Sequence, residues 1–208
     1  MPYSKFTLDL IEQRFGIPNQ VKMLFKDVQK VAPSEWLKNA LQLAQELPIR
    51  SEKAKSESIV FPILVELRNQ NDKYFTIHSG DSLNVDDKLE LEGECDFILS
   101  KDSGTFNINF PIFQLLEAKK NDVEIGVPQC AAQMIGAKMF NEKKGIKLEK
   151  IYGCVTTGKD WLFMKLEDKL YIDQKTYYTD NIEELLGVFQ FIIGYYKNVT
   201  KKQIDISN

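Results

Sequence analysis

Asp96, a gap of 20 residues, then Glu117 and Lys119 in the pattern Glu-x-Lys: these are the residues whose types and spacing could do chemistry. Apolar, strand-like runs carry both arms. Cys95–Leu99 leads into the polar turn Ser100-Lys101-Asp102-Ser103-Gly104, and Phe106 to Leu116 returns as a second strand. Residues two apart on a strand share a face, so Glu117 and Lys119 point one way and Leu116 and Ala118 the other. Antiparallel arms folded at 100–104 set Asp96 beside Glu117, which places two carboxylates and an amine around one point. Oxygen ligands suit Mg²⁺, with Mn²⁺ as a substitute, and Mg²⁺ takes only one or two protein carboxylates. Such an ion polarises a phosphoryl oxygen and acidifies a bound water, and a neighbouring ammonium can orient that water or neutralise developing charge. The chemistry implied is metal-assisted attack on a phosphodiester.

The plain alternative makes Asp96 a strand-edge charge and Glu117–Lys119 a solvated pair contributing roughly a few tenths of a kcal/mol. Phe113, Leu115 and Leu116 argue against it, because they predict a strand buried on part of both faces. Charges at the end of such a strand are costly unless paired or metal-bound.

Five segments between residues 51 and 166 resemble, in order and spacing, the PD-(D/E)XK nuclease superfamily. The likeness is to the branch related to the N-terminal nuclease domain of type I restriction subunits, found in small bacterial proteins. Ser56-Glu57-Ser58-Ile59-Val60-Phe61-Pro62-Ile63-Leu64 is similar to that family's first core helix, Gly93-Glu94-Cys95-Asp96 to its aspartate strand, and Leu115-Leu116-Glu117-Ala118-Lys119 to its E-x-K strand. Pro128-Gln129-Cys130-Ala131-Ala132-Gln133 resembles the following helix, and the segment from Ile151 to Trp161 the closing hairpin. The resemblance implies a Mg²⁺-dependent endodeoxyribonuclease-like hydrolase acting on DNA. Asp96, Glu117 and Glu57 would be the metal ligands and Lys119 the residue that positions water.

Glu57 and Glu66 compete for the helix position. Nine residues at 100° each put them on opposite sides, so both cannot enter one site. Glu57 fits the family pattern and is preferred, leaving Glu66 as a surface residue near the helix end; a kink at Pro62 would weaken this argument. Gln129 and Gln133 lie four apart on a helix opened by Pro128, so they share a face. That stripe is either simply exposed or reaches the lysine or a substrate phosphate.

Other chemistries are thin. Gly153 to Lys159 reads G-x-x-x-x-G-K, but Asp160 stands where a phosphate loop needs Ser or Thr, and a β-prone run follows instead of a helix. Gly158-Lys159-Asp160 is therefore expected to be a hairpin turn. His78 is the only histidine, which excludes or strains Ser-His-Asp, Cys-His and histidine-rich zinc sites. Cys95, Cys130 and Cys154 lack C-x-x-C spacing and read as reduced, buried thiols of a cytoplasmic protein. No membrane span or signal-peptide core is legible. A net charge of −3 gives no global attraction to nucleic acid, although Lys138, Lys143, Lys144, Lys147 and Lys150 cluster after the glutamine helix.

With 208 residues and 43% hydrophobic content, the chain can bury a proper core. Ser34 reads as the N-cap of a helix that stops before Pro48, and residues 4–30 also read as helical. Strands are expected near 73–79, 88–99, 106–119, 150–157, 161–166 and 169–173. Asp180 and Glu183 resemble a capping box opening an apolar helix that is either deeply packed or a dimer contact. The expected architecture is α/β: a restriction-endonuclease-like core (51–208), with a mixed β-sheet flanked by helices, and an N-terminal helical extension (1–50). Alternatives to catalysis are a non-cleaving nucleic-acid-binding module or a regulatory subunit of a larger restriction or repair complex.

Overall fold

A computed structural model describes residues 2–102 and 104–206, with side chains described up to residue 199. Its centre is one seven-stranded mixed sheet: β1 (Asn19–Lys22), β2 (Phe75–Ser82), β3 (Glu94–Lys101), β4 (Ile112–Ala118), β5 (Ile151–Thr156), β6 (Asp160–Leu166) and β7 (Leu170–Tyr178). The spatial order is β1-β7-β6-β5-β4-β3-β2, with β4/β5 and β1/β7 parallel and the other neighbours antiparallel. Every residue of β4 and β5 is buried, as expected for central strands covered on both faces. Helix α5 (Val127–Lys143) packs on β4, β5 and β6, while α4 (Phe61–Gln70) meets β2 and α6 (Ile182–Ile206) meets α4 and β7.

One irregularity sets the facing of the chemistry. Leu99 pairs with Gln114, but Ser100 pairs with Ile112, so Phe113 is an extra residue in β4. Its ring lies tilted at 37° against Tyr196 of α6, with centroids 4.8 Å apart. Beyond this bulge normal alternation resumes, and Glu117 turns toward α5, where Gln133 reaches it. Residue Ser103, in the expected turn, lies outside the described residues, and β4 begins only after Pro111.

Several sequence expectations are corrected here. Residues 4–30 are not one helix: α1 (Leu8–Phe15) ends at Gly16, whose φ of 66° is left-handed, and Pro18 follows. The next residues form β1 on the sheet edge, so the segment 1–50 is only partly helical. The strand expected from residue 88 starts at Glu94 instead. The Asp86 carboxylate accepts from the backbone N–H groups of Lys88 and Leu89, which bends that stretch into a turn. At the last helix, Thr179–Asn181 is a 3₁₀ turn rather than a capping box, and Asn181 Nδ2 donates to Glu184.

The two readings of α6 separate cleanly. Leu185, Leu186, Val188, Phe189, Ile192, Ile193 and Tyr196 are all buried within the chain, and Phe189 packs edge-on against Trp161 and Phe163. The apolar surface of α6 is core, with Phe191 left exposed. Among the described residues, no helix is long and apolar enough to cross a membrane.

Around Pro62 the helix is continuous but irregular. A short α3 (Glu52–Lys55) runs into a π-helical stretch, Ser56–Val60, and then into α4. Proline has no N–H to give the preceding turn, and a wider turn just before it accommodates that loss. Glu57 and Glu66 do not enter one site, as their spacing predicts, but Glu66 is not the surface residue expected: it is 3% exposed and accepts from Ser34 N (2.8 Å), Ser34 Oγ (2.7 Å) and Gln70 Nε2 (2.8 Å). Ser34 caps α2 (Glu35–Gln45), so Glu66 locks that cap to α4. Glu66→Ala strands these donors and is expected to cost about 1–3 kcal/mol in urea unfolding, with Glu66→Gln costing clearly less.

Candidate active site

Pairing of Phe97 with Leu116 sets Asp96 opposite Glu117. The Asp96 carboxylate accepts the Ala118 N–H at 2.7 Å, a bond that closes the ladder and fixes its rotamer. Lys119 N–H donates to Thr156 O at 2.8 Å, anchoring the end of β4 to β5. Lys119 Nζ donates to Glu117 Oε1 (2.6 Å) and to Gln129 Oε1 (3.1 Å). Gln133 Nε2 donates to the other Glu117 oxygen at 2.8 Å. Thus Asp96, Glu117, Lys119, Gln129 and Gln133 meet at one end of the central strands. Both glutamines of the helical stripe face the cluster, not solvent.

Gly126, just before α5, lets this happen. A Cβ there would lie 2.5 Å from Val155 Cγ1 and 3.0 Å from Lys119 Cγ, so any larger residue would push the lysine stem out of place. The start of α5 thereby sits against Lys119, and it runs on from a 3₁₀ turn, Glu124–Gly126: Val127 N–H donates to Glu124 O, Pro128 has no N–H, and the Asp122 carboxylate accepts from Glu124 N at 2.8 Å.

The electrostatics are strained in one direction. Burial, then the Asp96 charge, push the Glu117 carboxyl up to about 7, although Lys119 and Gln133 pull it down. Burial also raises Asp96, partly offset by the Ala118 N–H and by Lys119. For Lys119, burial works against the ammonium, but the charges of Glu117 and Asp96 outweigh it and hold the amine above its usual range. Among the described residues, Gln133 Oε1 is a buried acceptor without a partner. Two carboxylates destabilised by burial, Glu117 also by the Asp96 charge, beside an orphaned amide oxygen, form a hard-oxygen environment that a divalent cation would relieve.

No family model, curated protein or solved structure matches this chain.

Glu57, expected as a third ligand, stands apart from the cluster. Its side chain is 65% exposed, pairs with Lys53 at 3.8 Å, and borders a separate cavity with Ser56, Phe61 and Phe97. Among the described residues, no group of three or more His, Cys, Asp or Glu could hold a metal. From this helical segment, the carboxylate whose charge acts on both Asp96 and Lys119 is Glu52. Reasoning from the sequence missed Glu52. Its one available signal was Ser51, which caps α3 by accepting from Ala54 N at 3.1 Å and so fixes where the helix starts.

Other candidates resolve as structural. Asp81, His78 and Ser100 line up in series, with both imidazole nitrogens 3.1 Å from their partners. Ser100 is wholly buried, so this chain ties β2 to β3 and has no reachable nucleophile. Burial raises all three cysteine thiols, which are free and inaccessible. The segment Thr156–Asp160 is a tight β5–β6 turn, with Thr157 N donating to Asp160 O and Gly158 at φ 81°. Lys143 and Gln129 sit at opposite ends of α5, about 21 Å apart at 1.5 Å per residue. The lysine cluster therefore does not border the site, and Lys150 pairs with Glu167 at 3.6 Å.

Proposed function

We propose that this chain is a Mg²⁺-dependent nuclease that hydrolyses DNA phosphodiester bonds, with Mn²⁺ able to replace Mg²⁺. The observation that carries the reading is the convergence of Asp96, Glu117 and Lys119 at the ends of β3 and β4. The element order α4, β2, β3, β4, α5, β5 also agrees with a restriction-endonuclease-like core. Asp96 and Glu117 would hold the ion, which supplies polarisation of the phosphoryl oxygen and acidification of a bound water.

The residues themselves have separable tasks. The Ala118 N–H holds Asp96 in one orientation, and Gln133 does the same for Glu117. Lys119 Nζ, steadied by Gln129, holds the attacking water or neutralises charge on the transferring phosphorus. Glu52 contributes negative potential from α3 and would act on the cation through water.

Metal binding gives a test that is independent of substrate. A ligand carboxyl must lose its proton to bind, so Mn²⁺ affinity should rise with pH up to about 7, where Glu117 ionises, and level off above. Calorimetry at pH 5.5 and 8 should show proton release only at the lower pH, and Asp96→Ala should abolish binding. Mn²⁺ bound equally well by Asp96→Ala would remove the assignment.

A further inference from the structure

Whereas α6 turns its apolar surface inward, α2 leaves a second apolar stripe in solvent. Leu37 and Ala44 of α2 are buried, but Trp36, Leu43 and the following Leu47 are 50%, 62% and 57% exposed. Leu47 N donates to Ala44 O at 3.2 Å, so the helical path runs on to that residue. At 100° per residue, positions 36, 40, 43 and 47 fall within about 60° of one another. Trp36, Ala40, Leu43 and Leu47 therefore form one stripe beside the core-facing side of the helix.

This stripe fits its own copy turned end for end. Two α2 helices packed antiparallel about a two-fold axis between Ala40 and Leu43 set Trp36 against Leu47 of the other copy. Each Leu43 then enters the gap left by the other copy's Ala40, a knob over a small residue. On the polar border, Glu46 of one copy approaches the Glu35–Lys38 ion pair of the other, where the ammonium offsets its charge.

The area agrees with a dimer of modest strength. Trp36, Leu43 and Leu47 leave roughly 300 Å² of apolar surface open, the size at which an exposed patch marks an interaction site. Two copies together cover about 600 Å². At about 60% apolar content that belongs to an interface near 1,000 Å², the lower bound for a specific contact.

We propose that the chain forms a two-fold dimer through α2, with Trp36, Leu43 and Leu47 as its apolar centre. A contact of this size predicts a dissociation constant on the order of micromolar. The dimer goes beyond the nuclease reading and does not depend on it.

The chain has two tryptophans, and Trp161 is wholly buried, so a change of emission with concentration reports Trp36. Sedimentation velocity between about 1 and 100 µM should show monomer passing to dimer, with a blue shift of emission over the same range. Leu43→Glu and Ala40→Lys should each weaken the dimer at least about a hundredfold, because each change acts twice in a two-fold contact. Both positions reach solvent, so the urea midpoint of each variant measured as monomer should stay at the wild-type value. An equimolar mixture of the two should form a heterodimer, in which the new ammonium of one meets the new carboxylate of the other. A wild type that stays monomeric throughout that range overturns the proposal. So does a dimer that both variants leave intact, or a mixture in which no heterodimer forms.

Discussion

Glu117→Gln is expected to cut metal-dependent cleavage by at least about a thousandfold, since losing a ligand that supports several kcal/mol of transition-state charge has that effect. It should also make the protein more stable. Burial holds the Glu117 carboxyl at about 7 in the fold, above its ordinary value of 4.5. A raised carboxyl contributes stability fully below its ordinary value and loses it as pH rises through the folded value. The wild type should therefore lose up to about 3 kcal/mol between pH 4.5 and 7, and the glutamine variant should not. Lys119 keeps the Asp96 charge in the variant, and Gln133 can turn its orphaned Oε1 to accept from the new amide. Urea unfolding at pH 5 and pH 8 checks this. The stability gap should open at pH 8 and nearly close at pH 5; a variant less stable at pH 8 would show that the carboxylate supports the fold instead of burdening it.

Lys119→Ala separates binding from chemistry. Nζ occupies Glu117 Oε1 at 2.6 Å, so its removal frees a ligand atom. Mn²⁺ affinity should hold or improve, while cleavage falls by about 10²–10⁴-fold, the range for loss of a positioned proton-transfer group. Lys119→Arg discriminates the two roles of the amine. A guanidinium stays charged, so it restores activity if the lysine only neutralises charge and fails if it must exchange a proton. A fall in Mn²⁺ binding together with cleavage in Lys119→Ala would instead make the lysine a structural prop of the carboxylates.

The core of the cluster was legible because strands alternate strictly and a hairpin has few ways to close. Asp96, Glu117 and Lys119 followed from those two facts, and Gln129 with Gln133 from the spacing of a helix face. Glu52 and Glu66 were not legible. Glu66 is buried by Ser34, a contact 32 residues distant that its own neighbours do not mark, and Glu52 stands before the π-helical stretch Ser56–Val60, which shifts the helical phase between it and the residues beyond. Strand β1 escaped for a different reason: Asn19-Gln20-Val21-Lys22 is exposed along its length, so no hydrophobic alternation exists to read. The lysine run was adjacent to the site in sequence but is separated from it by the length of α5. The α6 surface was ambiguous because an apolar helix looks the same whether it meets its own sheet or another chain.

We propose that Asp96, Glu117 and Lys119 form a metal-dependent phosphodiesterase site. The most direct measurement is cleavage of linear, circular and single-stranded DNA with Mg²⁺, Mn²⁺ or EDTA, by the wild type and by Asp96→Ala and Lys119→Ala. Cutting is expected with either metal, none in EDTA, and none above background in either variant. Cutting that survives EDTA or both substitutions would contradict it, and so would a wild type that cuts none of the three substrates with either metal.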